Sequence, residues 1–314
     1  MRKTFVTLLG TTSVFALVVG TSSIATAADP QLQAPDRVLS GSMAIFGSYT
    51  TGVCHESECH GANSDPDDWF SLGGFGNVAV PVADNLSLQL GFYGEAGNII
   101  GEDSNFSSSQ EYANGVMGSA HLNFREPEAY LFGAFGALGS VETASDQSSG
   151  TANIYLAGVE GQYHIDDWTL YGQVAFADSS DLDNSDSDWI QNGVYLRGAV
   201  KHFFNDGMTK LQGDVVYVGG EQSTGDDIDA WQFGVEVEHI VSSYSNGYIS
   251  AFGRFDAFFA NESPDVNDDA EAYVFKIGLK ASFGYDNLYQ RDHYGEGVDI
   301  ADIMRIQAVA RATD

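Results

Sequence analysis

The chain has 314 residues, with 44 Asp or Glu against 13 Lys or Arg and a formal net charge of −31. That balance excludes a nucleic-acid-binding surface, because phosphate backbones are held by Lys and Arg. Disorder, the other meaning of strong acidity, is excluded by 36 Gly, 20 Phe and 15 Tyr distributed in regular blocks, and the length allows one large all-β domain.

At the N-terminus, Arg2 and Lys3 precede a mostly apolar run from Thr4 to Gly20, and Ala25 and Ala27 stand in the A-x-A spacing of a signal-peptidase site. Residues 1–27 are therefore expected to be a signal peptide, and residues 28–38 an N-terminal periplasmic segment. Its removal takes away two of the 13 basic residues and none of the 44 acidic ones. No later stretch supplies the roughly 20 consecutive apolar residues of a membrane helix. A place in a membrane then requires a closed barrel, the other architecture that satisfies every backbone group in lipid.

Twelve strands are predicted, at 39–51, 69–82, 86–97, 112–125, 129–141, 152–165, 168–178, 189–204, 208–220, 230–241, 248–260 and 272–284. Their connections alternate between tight turns ("ADN", "REPE", "DD", "NDG", "YSNG") and long polar segments such as "VCHESECHGANSDPDD" and "SSDLDNSDSD", the pattern of an up-and-down barrel. Most strands exceed the roughly 5–6 residues of a globular sandwich and reach the roughly 9–11 that a tilted membrane crossing needs. One face of each is free of Asp, Glu, Lys and Arg, as in Leu86, Leu88, Leu90 and Phe92, or Phe233, Val235 and Val237. Trp69, Trp168, Trp189 and Trp231 lie at strand starts and, with Tyr130, Phe203, Tyr248 and Tyr273, are expected to form interfacial girdles. The fold class is thus an all-β transmembrane antiparallel barrel over residues 39–284, with short periplasmic turns and long acidic extracellular loops.

The first long loop carries "CHESECH". Cys54 and Cys59 are the only cysteines, and an exported loop sits where thiols oxidise, so a disulfide between them is expected. The neighbouring His55, Glu56, Glu58 and His60 lack the separated ligand pairs of a zinc motif, and no metal or cofactor is assigned. The long loops hold many Asp and Glu, among them Asp65, Asp67, Asp181, Asp183, Asp226, Asp227, Asp265 and Asp268, and no Lys or Arg. Such a rim would concentrate cations, or bridge to lipopolysaccharide through divalent ions; the same composition suits a merely solvated, repulsive surface. "DLDNSDSD" fails as a calcium loop, since Asp186, followed by Ser187, stands at the glycine position and Asn192 at the bidentate Glu position.

By strand parity, Arg197, Lys201, Lys210, Asp214, Glu236, Glu238, Arg254, Asp256, Lys276 and Lys280 face the lumen, with Arg197, Asp214, Glu236 and Arg254 near mid-height. Two readings stay open: a charged constriction that selects solutes, or cross-strand ion pairs that plug the interior. No catalytic residue is assigned. His202 and His239 fall on the outward face near periplasmic turns, and His121 and His164 are single lumenal or turn residues without a nucleophile motif.

The last strand ends in "KIGLKASF", in which Lys276, Gly278 and Phe283 resemble the C-terminal assembly signal of the bacterial outer-membrane β-barrel and porin superfamily. The resemblance covers residues 39–284. It implies residence in the cell outer membrane, insertion by the barrel-assembly machinery and, in many members, a diffusion channel. The function expected is passive passage of small hydrophilic solutes or ions. The alternative is a closed structural or surface-interaction barrel, and a third, an outer-membrane lipid hydrolase, lacks a recognisable motif. Members usually end at this aromatic, whereas this chain continues through residues 285–314 as a periplasmic extension. Asp299 there can cap a helix running to about Ala312 with Ile300, Ile303, Met304 and Ala308 as its apolar stripe. That extension folds back to occlude the lumen, or else is a frayed extension or a helix docked weakly at the periplasmic face.

Overall fold

The computed structural model describes residues 38–55, 67–97, 112–144, 149–181, 189–222, 225–262 and 269–311. Twelve antiparallel strands form a closed barrel: β1 (Ser40–His55), β2 (Asp67–Ala83), β3 (Leu86–Gly97), β4 (Tyr112–Glu126), β5 (Tyr130–Ala144), β6 (Ser149–Ile165), β7 (Trp168–Asp181), β8 (Gln191–Phe204), β9 (Thr209–Glu221), β10 (Asp227–Tyr244), β11 (Gly247–Glu262) and β12 (Asp269–Phe283). Each strand pairs with its sequence neighbours. β12 closes on β1 in a register running from Gly41 opposite Phe283 to Thr51 opposite Tyr273, so no sheet edge is left open.

The alternation sorts side chains as lipid requires. Phe275, Ile277 and Leu279 on β12, like Val116 and Leu122 on β4 or Phe233, Val235 and Val237 on β10, are exposed on the outside, while the intervening residues are buried within. An apolar outer belt on a closed barrel defines an outer-membrane β-barrel protein. Ile277, 75% exposed at the centre of β12, provides a direct check. Ile277→Arg is expected to lower the free energy of unfolding in a bilayer by about 2–4 kcal/mol, measured as a shifted urea midpoint.

Three of the expected girdle aromatics are corrected. Trp168, Trp231 and Tyr130 are exposed on the outside, but Trp189, Phe203 and Tyr248 are fully or almost fully buried inside. Phe203 and Tyr248 share the inward parity of Lys201 and Ser250, and each finds an apolar cluster there with Leu288. The side chain of Trp69, residues 1–27 and the Cys54–Cys59 disulfide fall outside the described residues, as do most of the acidic loops.

Residues 285–311, expected as a periplasmic extension, turn back into the barrel. Gly284 allows the reversal: its φ is +100°, and a Cβ there would stand 2.7 Å from that of Ser40. Helix α1 (Leu288–Tyr294) follows, then an extended stretch, then helix α2 (Ile303–Arg311). The molecule's apolar core therefore lies inside the barrel. α2 packs against inward Val141, Ile154, Val218, Ile228 and Phe258, which form an apolar collar in the extracellular third.

Candidate functional site

The site is the lumen with the C-terminal segment in it. At the periplasmic end, α1 is started by a reciprocal cap: Asn287 Oδ1 accepts from the Gln290 N–H at 2.8 Å, and Gln290 Oε1 accepts from the Asp286 N–H at 3.1 Å. The Leu288 N–H donates to the Gly207 carbonyl in the β8–β9 turn at 2.9 Å, which ties the helix to the barrel rim. Arg291 donates both guanidinium nitrogens to Glu238 of β10 at 3.0 Å each. Asp292 accepts from Lys201 Nζ at 2.6 Å and Thr169 Oγ1 at 2.8 Å, while Arg125 donates to its backbone carbonyl at 2.9 Å.

Between the helices the chain is extended and its carbonyls would be orphans without the wall. The wall supplies the donors. Gln162 and Lys201 reach the Gly297 carbonyl at 2.9 and 2.6 Å, Gln89 reaches that of Val298 at 2.5 Å, and Tyr171, Gln173 and Arg197 converge on that of Asp299 at 3.0–3.2 Å. Six side chains from four strands, β3, β6, β7 and β8, thus read three consecutive carbonyls, which satisfies backbone groups buried away from the surface.

In the extracellular half, Lys276 holds Asp302 at 2.7 Å, and Arg305 donates to Glu95 at 2.5 Å and to Thr50 at 2.9 Å. Gln307 pairs in both directions with the backbone of Ile190, accepting its N–H at 2.9 Å and donating to its carbonyl at 3.3 Å. Asp302 caps α2 from the position before its first residue, its Oδ1 accepting from the Arg305 N–H at 3.2 Å. Asp299, expected as the cap, is instead bound by Arg197 at 2.9 Å. Burial works against ionisation of Asp292 and Asp299, but Lys201 and Arg197 respectively outweigh it and hold both carboxyls well below the usual range. Burial also pushes the Glu296 carboxyl up, although Arg291 and a 2.7 Å hydrogen bond from Ser40 oppose this.

The ten charged residues expected on the lumen wall all point inward; two networks gather eight of them, while Lys201 and Lys276 pair with Asp292 and Asp302 of the C-terminal segment. Near mid-height, Asp214 bridges Arg197 at 3.2 Å and Arg254 at 3.0 Å, and Arg254 also pairs with Asp256 at 2.6 Å. Lower down, Glu238 accepts from Lys280 at 2.9 Å and lies 3.3 Å from Lys210, which pairs with Glu236 at 2.8 Å. Lys280 further lies between the rings of Phe75 and Phe252, at 5.2 and 5.4 Å from their centroids. Beside the C-terminal segment remains a cavity of about 150 Å³, lined by Lys276, Lys280, Arg254 and Glu236 together with Tyr93 and Phe252.

Sequence reasoning missed the partners that the tail contributes: Arg291, Asp292, Asp299, Asp302 and Arg305. One local signal was available. Asn287-Leu-Tyr-Gln290 has the spacing of a capping box and announces α1. His121, read as a single residue, stands in a chain: Glu160 Oε1 to His121 Nδ1 is 2.9 Å, and His121 Nε2 to Ser119 Oγ is 3.3 Å. The order resembles a hydrolase relay, but catalysis would also need free donors for an oxyanion, and in a closed antiparallel wall the backbone N–H groups are spent on the ladders. His164, Asp292 and His293 bring one ligand atom each within 4.8 Å of one another. Lys201 occupies that carboxylate and Arg125 adds a second positive charge, so the group does not suit a divalent cation.

No protein-family model matches the chain, and no curated protein does. Among solved structures, the barrel is similar to an outer membrane channel from Pseudomonas putida F1, at 14% identity over 82% of this chain and 100% of that one, with a TM-score of 0.47. The translocator domain of the autotransporter NalP from Neisseria meningitidis matches at 10% identity over 78% and 89%, with a TM-score of 0.45. The KdgM porin in complex with disordered oligogalacturonate matches at 11% over 77% and 99%, with a TM-score of 0.41. Likeness at these levels carries no argument about function; the fold assignment stands on the chain's own strand order and outer belt.

Proposed function

We propose that the chain is an outer-membrane channel for passive diffusion of small hydrophilic solutes or ions, closed at rest by its own C-terminal segment. The observation that carries this reading is the set of charged contacts between wall and tail. Lys201, Arg197, Lys276, Glu238 and Glu95 line a passage whose occupant is held by side-chain pairs and hydrogen bonds, all of them exchangeable for water. Rings of charge on an inward face suit the selection of polar solutes. Insertion by the barrel-assembly machinery and divalent-ion bridging to lipopolysaccharide belong to the same proposal.

A second reading, a closed structural barrel that displays acidic loops, is favoured by the apolar collar around α2. Buried Ile303, Met304, Ile306 and Val309 each contribute about 1.5–3 kcal/mol to docking, which suits a permanent plug. Planar-bilayer recording of the full chain separates the two. Rare discrete current steps over a quiet baseline are expected, and Ile306→Asp should raise their frequency at least tenfold by burying a charge in the collar. A barrel that stays silent in both forms is the closed one.

A further inference from the structure

The periplasmic end of the lumen holds two stacked histidines, one on each side of the contact between wall and tail. His164 belongs to β6 and His293 to α1; their ring centroids are 3.8 Å apart with an interplanar angle of 30°. Both are buried, at 5% and 0% exposure. His293 also stacks on Tyr289 at 3.8 Å and meets the edge of Phe203 at 6.0 Å.

The hydrogen bonds fix where the protons are. His293 Nδ1 faces the Tyr289 carbonyl at 3.0 Å, and a carbonyl only accepts, so Nδ1 carries the hydrogen. Thr169 spends its hydroxyl hydrogen on Asp292, so at 3.0 Å it accepts from His164 Nδ1–H. Each ring therefore presents Nε2 as a bare lone pair, and neither Nε2 has a hydrogen-bond partner among the described residues. Two buried basic atoms without donors remain.

The surroundings oppose a further positive charge. Facing the pair are Arg125 of β4, Thr169 of β7, Lys201 of β8, and Tyr289 and Asp292 of α1. Asp292 is the one anion among these, and Lys201, Thr169 and Arg125 already bond to its side chain or carbonyl. Burial lowers the pKa of His293, and although Asp292 and the Tyr289 carbonyl pull it back up, Arg125 and Lys201 add to the lowering. Protonating both rings would place two imidazolium ions face to face beside two fixed cations.

We propose that His164 and His293 form a proton-operated latch: mild acid charges the pair, detaches α1 from the barrel wall and frees the periplasmic end of the C-terminal segment. The latch rests on the reading of that segment as the closing element and names its regulation. The sign follows from linkage. A histidine whose proton affinity is lower when docked leaves docking undisturbed above its free pKa of about 6.5 and weakens it as pH falls below, about tenfold per unit of lowering. Asp292 stays ionised throughout this window because its carboxyl is held well below it. Glu296 works in the opposite sense, since a carboxyl raised by burial favours the docked state in acid.

The test is hydrogen–deuterium exchange of the full chain in lipid nanodiscs, followed by mass spectrometry at about pH 7.5 and about pH 5.5, with rates corrected for intrinsic exchange. Protection of amides 288–297 is expected to fall at least tenfold in acid. In the double variant His164→Gln/His293→Gln the ratio between the two pH values should approach one, whatever the absolute protection. His164→Gln alone should give an intermediate ratio and covers the case in which the double variant does not fold. A wild-type ratio within about twofold of one, or a ratio unchanged in the folded variants, overturns the latch. Because exchange is read and not current, a tail that loosens without conductance would sink the channel while leaving the latch, and conductance without loosening would do the reverse.

Discussion

A chain ended after Gly284 is expected to conduct continuously, where the full chain is expected to open only rarely. Eight strands already leave an interior that side chains can fill, so twelve leave a passage, and in this protein that passage holds two helices and an extended link. Removing them takes away no strand and none of the ladder hydrogen bonds, so the barrel should still assemble; heat-modifiable gel mobility reports whether it does. The wall left behind is close to balanced, since Arg197 keeps Asp214 and Lys210 keeps Glu236, but Lys201 loses its carboxylate partner. Adding Lys201→Glu to the truncated chain should accordingly move the reversal potential in a salt gradient toward cation preference. A truncated barrel that folds and stays silent would leave the closed structural reading standing.

The largest loss of stability is expected at Glu238. This carboxylate is fully buried and accepts hydrogen bonds from Ser250 at 2.7 Å, Lys280 at 2.9 Å and Arg291 at 3.0 Å, with Lys210 3.3 Å away. Glu238→Ala leaves Lys210 and Lys280 with Glu236, and Arg291 with Glu296, as the remaining acidic neighbours. Breaking a buried pair by deleting one partner typically costs about 3–5 kcal/mol, because the other charge stays buried. The urea midpoint in lipid should fall accordingly, and Arg291→Met combined with Glu238→Gln should cost less than the sum of the two single changes. Strict additivity would mean that wall and tail are not coupled through this residue.

The barrel was legible in the sequence because each strand carries its own instruction. Alternation with period two, a charge-free face and turn residues at alternate ends act over a few residues, and all twelve predicted strands occur, extended mainly at their extracellular ends. The ten charged wall residues keep one parity within each strand, since the bulges, such as those between Thr51 and Cys54 and between Ile240 and Ser242, lie near strand ends and not between those residues. Aromatic position was a poorer guide. Trp189, Phe203 and Tyr248 stand at strand ends like interfacial residues, and only what fills the lumen decided that they turn inward.

What the sequence by itself determined is the wall: strand count, inside and outside, and the compartment that such a wall demands. Tertiary structure alone decided what the lumen contains. The inward positions of the extracellular third, Ala270, Ala272 and Val274 on β12 among them, are apolar although they share a face with Lys276 and Lys280, and that makes sense only once α2 packs against them. The contacts that seat the tail join residues far apart in the chain, as Ser40 to Glu296, Thr50 to Arg305 and Glu95 to Arg305 do. No local periodicity encodes such pairs, because each partner is an ordinary polar residue until the closed barrel brings the two together.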